Sequence, residues 1–363
     1  MRVLVNGLVI DREAAGVGQY VTQLLDAYHR LYQGDDELRV IVTPDAPDFG
    51  VPRLTVDRRL GSSMARLYYE QTRLARLMRE TGYDVAHFPD YQMPVRGRLP
   101  RTVVTVHDLV AFLYPQFFEK QRALLKRVLM GRSVGRADCI IVPSRATKED
   151  LIQVLRVPPE RIRIIPHGVK HRGTPRPEPL VPPPYFLAVG TVEPRKNFIG
   201  LLRGYRELSA LHSDVPPLVI AGRMGWMYEE TLATVSRLGL DRQVTFLRYV
   251  SEDDLATLYR HALAFAYPSF YEGFGLPVLE AMAYGLPVIT TRRGGLAEVA
   301  EEVAWFTEPH DFAGIAEGLL AAWRGDPQFL ARAAQGPVVA ARYRWEDAAQ
   351  KTREVYQEVG GTV

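Results

Sequence analysis

The stretch Tyr267–Thr291, YPSFYEGFGLPVLEAMAYGLPVITT, has the pattern of a strand end, a loop with glycines, a short helix and a second strand. Gly273 and Gly275 let the loop backbone turn tightly and approach a ligand, because neither residue carries a Cβ atom. Pro277 suits the first turn of a helix, and Gly285 suits the end of one. The pattern predicts one repeat of an α/β sheet, with a ligand-binding loop between its first strand and its helix.

Two carboxylates frame this loop, since Glu272 stands before the helix and Glu280 stands inside it. The free N–H groups at a helix N-terminus attract an anion, most usefully a phosphate. An ionised carboxylate beside a phosphate can accept hydrogen bonds from sugar hydroxyls. The loop therefore indicates a ligand that carries both phosphate and hydroxyl-rich rings. Two solvated glutamates at the start of a helix are the alternative interpretation.

The rest of the chain repeats this alternation of short apolar runs and helical patterns, which predicts α/β sheets with helices on both faces. With 363 residues, the chain is longer than one hydrophobic core usually serves. The run 171–184 has six prolines among fourteen residues and is predicted to be an extended linker. We therefore predict two Rossmann-like, doubly wound domains at 1–170 and 185–344, joined by that linker, and a C-terminal helix at 345–363. Ligands of such sheets lie outside the carboxyl ends of the strands.

The individual elements can be placed from the same pattern. The predicted strands are Arg2–Val5, Leu38–Thr43, Asp84–Phe88, Thr102–Val106, Cys139–Val142, Arg161–Ile165, Tyr185–Val189, Leu218–Ala221, Val244–Leu247 and Ala262–Tyr267. The predicted helices are Gly18–Leu31, Ser62–Thr81, Lys120–Gly135, Arg145–Leu155, Asn197–Leu211, Met227–Leu238, Glu252–His261 and Trp345–Glu358.

The charges are distributed unevenly along the chain. Residues 1–180 carry 28 Lys and Arg against 20 Asp and Glu, whereas residues 181–363 carry 17 against 22. A basic half suggests an anionic partner, which would be nucleic acid, a membrane surface or a phosphorylated acceptor. Basic helices with solvated faces are the alternative.

Several classes of protein are excluded by composition and motif. The single cysteine, Cys139, lies in an apolar strand pattern and is expected to be a buried thiol in a reducing cytosol. No run approaches 18 uninterrupted apolar residues, so no membrane span is predicted, and the first residues form a strand pattern rather than a signal peptide. No metal-ligand spacing and no Walker loop occur, which argues against a metal site and against an NTPase.

Two cations follow the first strand of the second domain, in the loop GTVEPRKN at 190–197. Arg195 and Lys196 would stand at a carboxyl end of the sheet, where they could stabilise the negative charge of a diphosphate leaving group. A solvated surface pair is the alternative for these two residues.

In the first domain, the loop Asn6–Gly18 joins the first strand to the first helix and contains Gly16 and Gly18. Its spacing differs from the dinucleotide fingerprint, but its N–H groups could meet a diphosphate. His107 and Asp108 follow another apolar strand, so this histidine could be a hydrogen-bond donor, a general base or a ligand.

Two further candidates lie at the end of a neighbouring strand. His87 is a strand-end histidine, and Tyr91 is an aromatic residue that could face an acceptor. His167, in IIPHGV, is expected to mark the turn into the linker. A satisfied loop histidine is the alternative interpretation for His107.

Taken as whole phrases, three of these motifs resemble one known family. EGFGLPVLEAMAYGLPVI at 272–289 resembles the signature of the retaining glycosyltransferases of family 4, which have the GT-B fold. VGTVEPRKN at 189–197 resembles that family's diphosphate-binding motif, and HDLVAFLYPQFF at 107–118 resembles its acceptor-domain motif. The resemblance implies two domains that face a central cleft, a nucleotide sugar on the second domain, an acceptor on the first, and a last helix that crosses back to the first domain.

The resemblance also implies roles for individual residues. The first glutamate of the motif, Glu272, would contact the donor sugar, and the second, Glu280, would bind the ribose hydroxyls. The implied catalytic residues are Glu272, His107, Lys196 and Arg195. The implied nucleotide-sugar contacts are Gly16, Gly18, Arg195, Lys196, Glu272, Gly273, Phe274, Gly275, Leu276 and Glu280. We add His87, Tyr91 and Asp108 as acceptor contacts, and we expect no cofactor and no metal, because the two cations would replace a divalent ion.

The chain departs from the family pattern at two places. Arg248 stands where a glycine is expected, at the end of the strand that would contact the base, and the pair Glu301-Glu302 replaces the usual Gly-Asp. Contacts with the base are therefore not assigned to Arg248, and no role is assigned to the pair.

The sequence thus predicts a retaining, metal-independent hexosyltransferase that acts on a glycan or lipid-linked acceptor. The phrases HDLVAFLYPQFF, VEPRKN and AGRMGWMYEE resemble bacterial mannosyltransferases of polysaccharide assembly, which favours GDP-mannose as the donor. UDP-glucose or UDP-GlcNAc as donor, a nucleotide-sugar epimerase on the same fold, and a non-catalytic sugar-binding protein are the alternatives. We expect a cytoplasmic protein without a nucleic-acid partner, peripheral at the inner face of the plasma membrane through its basic first half.

Overall fold

The chain forms two compact units in a computed structural model. Unit 1 comprises Met1–Gly168 and Arg344–Val363, and unit 2 comprises Val169–Tyr343. The structure describes residues 1–10, 16–48, 50–56, 60, 63–169, 173–301 and 303–361. Residues 11–15 of the first glycine loop, His171 of the proline-rich run and Glu302 lie outside the described residues.

Unit 1 contains a parallel sheet of seven strands in the order β3-β2-β1-β4-β5-β6-β7. The strands are β1 Arg2–Asn6, β2 Glu37–Val42, β3 Arg53–Thr55, β4 Val85–Phe88, β5 Arg101–Thr105, β6 Cys139–Val142 and β7 Ile162–Ile164. Every residue of β4 and β6 is buried, as expected for strands covered by helices on both faces. The strand order reverses direction between β1 and β4, so the carboxyl ends of these two strands form the switch point of the sheet.

The helices of unit 1 that precede residue 169 include the predicted ones, one of which is interrupted, and a short helix, α4, that was not predicted. They are α1 Val17–Tyr32, α2 Ser63–Tyr69, α3 Ala75–Glu80, α4 Val110–Leu113, α5 Lys120–Arg136 and α6 Arg145–Leu155. A π-helical turn, Glu70–Leu74, separates α2 from α3. The predicted single helix over 62–81 is therefore interrupted by a wider turn.

Unit 2 contains a second parallel sheet, with six strands in the order β10-β9-β8-β11-β12-β13. The strands are β8 Phe186–Val189, β9 Leu218–Ala221, β10 Val244–Arg248, β11 Ala264–Tyr267, β12 Val288–Thr291 and β13 Trp305–Thr307. The helices are α7 Phe198–Leu211, α8 Glu229–Arg237, α9 Glu252–His261, α10 Leu276–Ala283, α11 Leu296–Ala300, α12 Phe312–Arg324, α13 Pro327–Ala333 and α14 Gly336–Ala340. The prediction of two doubly wound domains with parallel sheets is confirmed.

The last helix, α15 Trp345–Gly360, belongs to unit 1 although it ends the chain. It packs against α1. Its buried residues Trp345, Val355 and Tyr356 join the core cluster of β1 and α1. Unit 1 is therefore built from the two ends of the chain.

The proline-rich run belongs to unit 2 in its described part. The N–H of Thr174 donates a hydrogen bond of 2.8 Å to Asp253, and the N–H of Arg176 donates one of 2.9 Å to Thr257. Both acceptors lie on α9. The boundary of the unit thus falls between Gly168 and Val169, ahead of the predicted linker.

Candidate active site

The switch point of unit 2 brings together the two loops that the sequence singled out. Strands β8 and β11 are neighbours at the point where the strand order reverses. The loop after β8 carries Arg195 and Lys196, and the loop after β11 carries Glu272. Ligands of open α/β sheets bind outside the carboxyl ends of the strands at such a point.

Glu272 is the centre of the contacts at this switch point. Its Oε2 accepts a hydrogen bond of 2.6 Å from Arg195 Nη1, and its Oε1 accepts one of 2.8 Å from Lys196 Nζ. Ser269 Oγ and Tyr267 OH also donate to Oε1, at 2.8 and 3.0 Å. Lys196 Nζ in turn donates to the hydroxyl of Tyr267. The carboxylate is thus held by two cations and two hydroxyls.

The charges of this cluster fix its protonation. Burial alone would raise the pKa of Glu272, but the charges of Arg195 and Lys196 and hydrogen bonds from Lys196 and Ser269 hold it at about 2. Burial and the neighbouring guanidinium lower the pKa of Lys196, whereas the carboxylate opposes that change. Burial raises the pKa of Tyr267 well above its usual value. Glu272 is therefore ionised at neutral pH and can accept hydrogen bonds but cannot donate one.

Arg195 is fixed from a second side by another buried carboxylate. Glu193 Oε1 accepts from Arg195 Nε at 3.0 Å and lies 2.8 Å from its Nη2. The carbonyl of Tyr271 accepts a further hydrogen bond of 3.2 Å from Nη1. These contacts orient the guanidinium in advance, which is the condition for strong electrostatic stabilisation of a charged transition state.

Asn197 connects the loop of Arg195 and Lys196, here called the cation loop, to the segments around it. The sequence did not indicate a role for this residue. Its Nδ2 donates to the carbonyls of Pro268 and Pro309, at 2.9 and 2.7 Å. Its Oδ1 accepts from the N–H of Gly200 at 3.1 Å and so caps helix α7. Asn197 has a left-handed backbone, with φ of 57°, which Asn tolerates better than most residues. In the sequence, only its place directly after Arg195-Lys196 and before a predicted helix could have indicated this role.

Two glycines after β12 allow a close approach to the glutamate loop. The N–H of Gly295 donates to the carbonyl of Glu272 at 2.8 Å. A Cβ atom on Gly294 would lie 2.1 Å from that carbonyl oxygen, and one on Gly295 would lie 2.4 Å from the carbonyl oxygen of Gly273. Side chains at these positions would therefore push the loop away and displace Glu272.

The remaining predicted donor contacts of unit 2 lie around the start of α10. Gly275 precedes the helix with a φ of 109°, and Leu276 begins it. The ring of Phe274 packs edge-on against Tyr343, with ring centroids 5.7 Å apart. Glu280 is buried on the helix, where its Oε2 accepts from Tyr259 OH at 3.2 Å. The structure thus joins Glu272 directly to the two cations, while residues 273–276 lead from Glu272 into α10, the helix that carries Glu280.

The residue that replaces an expected glycine keeps a glycine-like backbone. Arg248 has a φ of 57°, in the left-handed region, and its carbonyl accepts a hydrogen bond of 2.7 Å from the N–H of Gly222. The pairing of β10 with β9 shifts register between Phe246 and Arg248. A non-glycine residue in this conformation costs about 1–2 kcal/mol, so the backbone geometry explains why glycine is expected here.

In unit 1, His107 is part of a cluster that the sequence did not reveal. Its Nε2 donates to the carbonyl of Pro89 at 2.8 Å, so its Nδ1 accepts the 3.3 Å hydrogen bond from His167 Nε2. Burial lowers the pKa of both histidines. The ring of His167 stacks on Trp345, and the ring of Tyr20 packs against both histidines. His167 therefore belongs to the same cluster as His107, beyond its predicted role as a turn into the linker.

His87 lies in the interior of unit 1, which differs from the acceptor-facing position that the sequence predicts. Its Nδ1 is 2.7 Å from Tyr356 OH, and its Nε2 is 2.9 Å from Thr105 Oγ1. Burial lowers its pKa to about 3. Both ring nitrogens are used and the side chain has no exposed surface, so it holds α15 to the sheet and cannot reach an acceptor.

The other predicted residues of unit 1 lie at the carboxyl edge of the sheet or at the start of α1. Burial raises the pKa of Tyr91, which follows β4, and Lys126 lies 5.7 Å from its ring centroid. Asp108 accepts from the N–H of Val110 at 3.1 Å and so begins α4. Gly16 precedes α1 with a φ of 53°, and Gly18 lies buried in its first turn.

Two kinds of feature are absent from the residues that the structure describes. Among the residues that the structure describes, no cluster of three or more His, Cys, Asp or Glu side chains could hold a metal ion. Within the same ranges, no helix combines the length and the hydropathy that a membrane crossing requires.

Comparison with known proteins identifies the family. The model for glycosyltransferase family 4 matches residues 14–172, and the model for glycosyl transferases group 1 matches residues 175–336. The chain is 31% identical over 283 residues to O-antigen chain mannosyltransferase B of Escherichia coli. The matched region covers 75% of this chain and 74% of the relative. This chain is a member of the family 4 glycosyltransferases. It is therefore an enzyme of the hexosyltransferase type, as the sequence predicts.

Further relatives agree with this assignment. This glycosyltransferase is 32% identical over 213 residues to O-antigen chain mannosyltransferase RfbU of Salmonella typhimurium, covering 59% of this chain and 58% of the relative. Sucrose-phosphate synthase from Thermosynechococcus elongatus shares its fold with a TM-score of 0.80, at 21% identity and full coverage of both chains. Anabaena HepE, solved with UDP-glucose, has a TM-score of 0.74 at 17% identity, covering 99% of this chain and 100% of that one. The GT-B fold is confirmed.

Proposed function

We propose that this glycosyltransferase transfers a mannosyl residue from GDP-mannose to a glycan or lipid-linked acceptor, with retention of the anomeric configuration and without a metal ion. The observation that carries the proposal is the buried Glu272 held between Arg195 and Lys196 at the switch point of unit 2. The two relatives reported above, both named O-antigen chain mannosyltransferases, favour mannose as the transferred sugar.

The donor would lie on this cluster with its diphosphate near the two cations and the start of α10. As the bond between the sugar and the diphosphate breaks, negative charge grows on the leaving phosphate, and Arg195 and Lys196 would stabilise it. Glu272 stays ionised because its pKa is about 2, so we assign it to accepting hydrogen bonds from sugar hydroxyls. Glu280 would accept hydrogen bonds from the ribose in the same way.

Retention follows in this proposal from displacement on one face of the sugar. The bond from C1 to the leaving phosphate oxygen breaks, and the bond from C1 to the acceptor oxygen forms on the same face. The proton of the acceptor hydroxyl passes to the leaving phosphate, which keeps atoms and charge in balance. No enzymic nucleophile takes part in this scheme, and the two cations supply the charge stabilisation that a divalent ion would otherwise give.

A donor panel tests the proposal. Purified protein is incubated with GDP-mannose, UDP-glucose or UDP-GlcNAc and an octyl α-mannoside acceptor, with and without EDTA. We expect a product from GDP-mannose with an α-linkage by NMR, at a rate unchanged by EDTA. Inversion at C1, or a loss of activity with EDTA that added divalent metal restores, would contradict the corresponding part of the proposal.

A second donor has specific support. Anabaena HepE, which shares the fold, was solved with UDP-glucose. Transfer of glucose from UDP-glucose in the same panel, with no product from GDP-mannose, would favour this alternative. Conversion of either donor to an isomeric sugar in the absence of acceptor would indicate an epimerase.

We also propose that helix α5 docks the enzyme on anionic lipid at the inner face of the plasma membrane, where a lipid-linked acceptor would be anchored. The helix exposes Leu124 by 62%, together with Leu125 and Val128, beside Arg127 and Arg132. Apolar side chains among exposed cations are typical of interfacial helices. We expect Arg127→Glu with Arg132→Glu to weaken sedimentation with vesicles of phosphatidylcholine and phosphatidylglycerol.

The matched control changes two exposed arginines on helix α7, as Arg203→Glu with Arg206→Glu. This variant has the same net charge and should sediment like the wild type. Equal sedimentation of both double variants, or binding to vesicles of phosphatidylcholine alone, would contradict docking through α5.

A further inference from the structure

The switch point of unit 1 also carries a polar cluster, to which the proposed mechanism assigns no step. Strands β1 and β4 are neighbours at this reversal, as β8 and β11 are in unit 2. Asn6 ends β1, and Asp90 and Tyr91 follow β4. The carboxyl ends of strands at a switch point are where ligands of this fold bind.

Glu70 is the buried charge of this cluster. Only 2% of its surface is exposed. Its Oε1 accepts a hydrogen bond of 3.0 Å from Asn6 Nδ2. Its Oε2 is buried and has no hydrogen-bond partner within the described part of the chain. A carboxylate oxygen buried without a partner is costly, and such atoms in native proteins call for a specific explanation.

A hydrogen-bond donor without a partner, Arg66 Nε, lies on the helix one turn before Glu70. Arg66 Nε is buried and also lacks a hydrogen-bond partner among the described residues. It lies 3.9 Å from Glu70 Oε1, too far for a hydrogen bond, while 21% of its side chain remains exposed. Arg66 Nε thus lies near the carboxyl group of Glu70 without a hydrogen bond to it, and the Arg66 side chain is partly exposed at the surface.

The backbone at this position is unusual as well. Glu70 is the first residue of the π-helical turn between α2 and α3. Single π-helical turns are rare within α-helices and occur frequently at functional sites. The wider turn places Glu70 next to Asn6, at the end of the central strand.

We propose that Arg66 and Glu70 bind a hydroxyl group of the acceptor, which accepts from Arg66 Nε and donates to Glu70 Oε2. A sugar hydroxyl can satisfy a donor and an acceptor at once, because its oxygen accepts one hydrogen bond while its O–H group donates another. Burial raises the pKa of Glu70 to about 7, and a hydroxyl donor would favour its ionised form. The inference rests on the proposed function, in which unit 1 holds the acceptor.

The test compares Glu70→Gln with the wild type on octyl α-mannoside and on its four monodeoxy analogues. Gln can keep the hydrogen bond from Asn6 but presents an N–H group in place of Oε2. We expect the KM for octyl α-mannoside to rise by about tenfold to a hundredfold, as for the loss of a charged hydrogen bond, with the KM for the donor within about twofold. The matched control is Glu80→Gln, which removes an exposed carboxylate from α3 and should leave both constants unchanged.

The deoxy analogues identify the hydroxyl. With the wild type, one deoxy analogue that still gives product should have a kcat/KM about tenfold or more below that of octyl α-mannoside. With Glu70→Gln, the same analogue and octyl α-mannoside should have similar kcat/KM values. An equal loss in both proteins, or a wild-type acceptor KM in Glu70→Gln, would overturn the proposal.

Two further outcomes are distinguished by the same experiment. If Glu70 only holds a structural water, the variant will change the midpoint of thermal unfolding at about pH 8 and keep the acceptor KM of the wild type, which overturns the inference and leaves the proposed function standing. If the wild type transfers no sugar from any donor of the panel, the proposed function fails and the inference fails with it.

Discussion

At the scale of single residues, Glu272 combines a structural and a chemical role. It neutralises two neighbouring cations that would otherwise repel each other, and it presents oxygens at the place proposed for the donor sugar. Removing one partner of a buried ion pair costs about 3–5 kcal/mol, because the other charge stays buried and uncompensated. Activity and stability are therefore coupled at this position, and truncation to alanine would confound them.

We expect Glu272→Gln to lower kcat by about a hundredfold or more, because a neutral amide accepts hydrogen bonds from the sugar more weakly and no longer orients the cations. Steady-state kinetics with the donor of the panel measures this, with urea unfolding to confirm that the variant is folded. The matched control is Glu308→Gln, which removes an exposed carboxylate paired with Arg293 in the same unit. Similar kcat values for both variants would contradict the role of Glu272.

The pKa of Glu272 gives a separate prediction for stability. The folded value of about 2 lies below the usual carboxyl value of about 4.3, so the carboxylate contributes stability that is present above about pH 4.3 and is lost as the pH falls towards about 2. Between about pH 5 and about pH 3, the free energy of unfolding of the wild type should fall by roughly 1–2 kcal/mol more than that of Glu272→Gln. Parallel pH profiles from urea unfolding would show that the carboxylate is not held in this way.

Site residues that stand together in a sequence motif could be predicted, whereas contacts between residues far apart along the chain could not. Glu272, Arg195 and Lys196 were found because each lies in a loop directly after an apolar strand. The contact of His167 with His107 and the contact of Glu70 with Asn6 were missed, since these partners are 60 and 64 residues apart along the chain. The position of His87 was wrong for a related reason, because its burial depends on Tyr356 at the other end of the chain.

At the scale of elements, Asn197 connects the geometry of the site to the helix that follows it. We expect Asn197→Asp to lower kcat by about tenfold or more, because its carboxylate can still cap α7 but cannot donate to the carbonyls of Pro268 and Pro309. The KM for the acceptor should change little, since the change moves the cation loop of unit 2. Kinetics at a temperature where circular dichroism shows the folded state measures the effect.

The control for this variant is the loss of a helix cap elsewhere in the unit. Ser251 Oγ accepts a hydrogen bond from the N–H of Asp254 at 3.1 Å and so caps α9. Ser251 lies outside the two loops that carry Glu272 and the pair Arg195-Lys196. Ser251→Ala should therefore cost about 1 kcal/mol of stability and leave kcat unchanged. If both variants lose stability and neither loses kcat, Asn197 acts as a cap alone.

Many elements with a clear apolar run and clear boundaries were predicted correctly, whereas several short elements and the longer helix α12 were not. β6, β9, α6 and α9 have the predicted bounds. β3 and β13 were missed, because three residues are too few to show a period of two. The π-helical turn at Glu70 was missed because its composition differs little from that of the helices on either side.

At the scale of the whole molecule, unit 1 depends on a helix that unit 2 separates from it along the chain. Apart from the resemblance to the family, no pattern in α15 indicates which unit it joins, since its apolar face would suit either sheet. The contacts decide the question, because α15 buries Trp345, Val355 and Tyr356 in the core of unit 1, and Tyr356 hydrogen-bonds to His87. Unit 2, by contrast, is formed from one continuous segment.

Deletion of residues 344–363 should therefore unfold unit 1 and spare unit 2. Each large buried side chain contributes about 1.5–3 kcal/mol, so losing three of them removes an amount comparable to the whole stability of a domain. We expect limited proteolysis to digest residues 1–168 and to leave a fragment near 169–343, with a synthetic peptide of 344–363 restoring protection. Deletion of 362–363 alone, which keeps α15 and its C-cap residue Gly361, is the control and should change nothing. Protection of both units in the longer deletion would mean that α15 is dispensable for unit 1 and that the sheet and its other helices form a sufficient core.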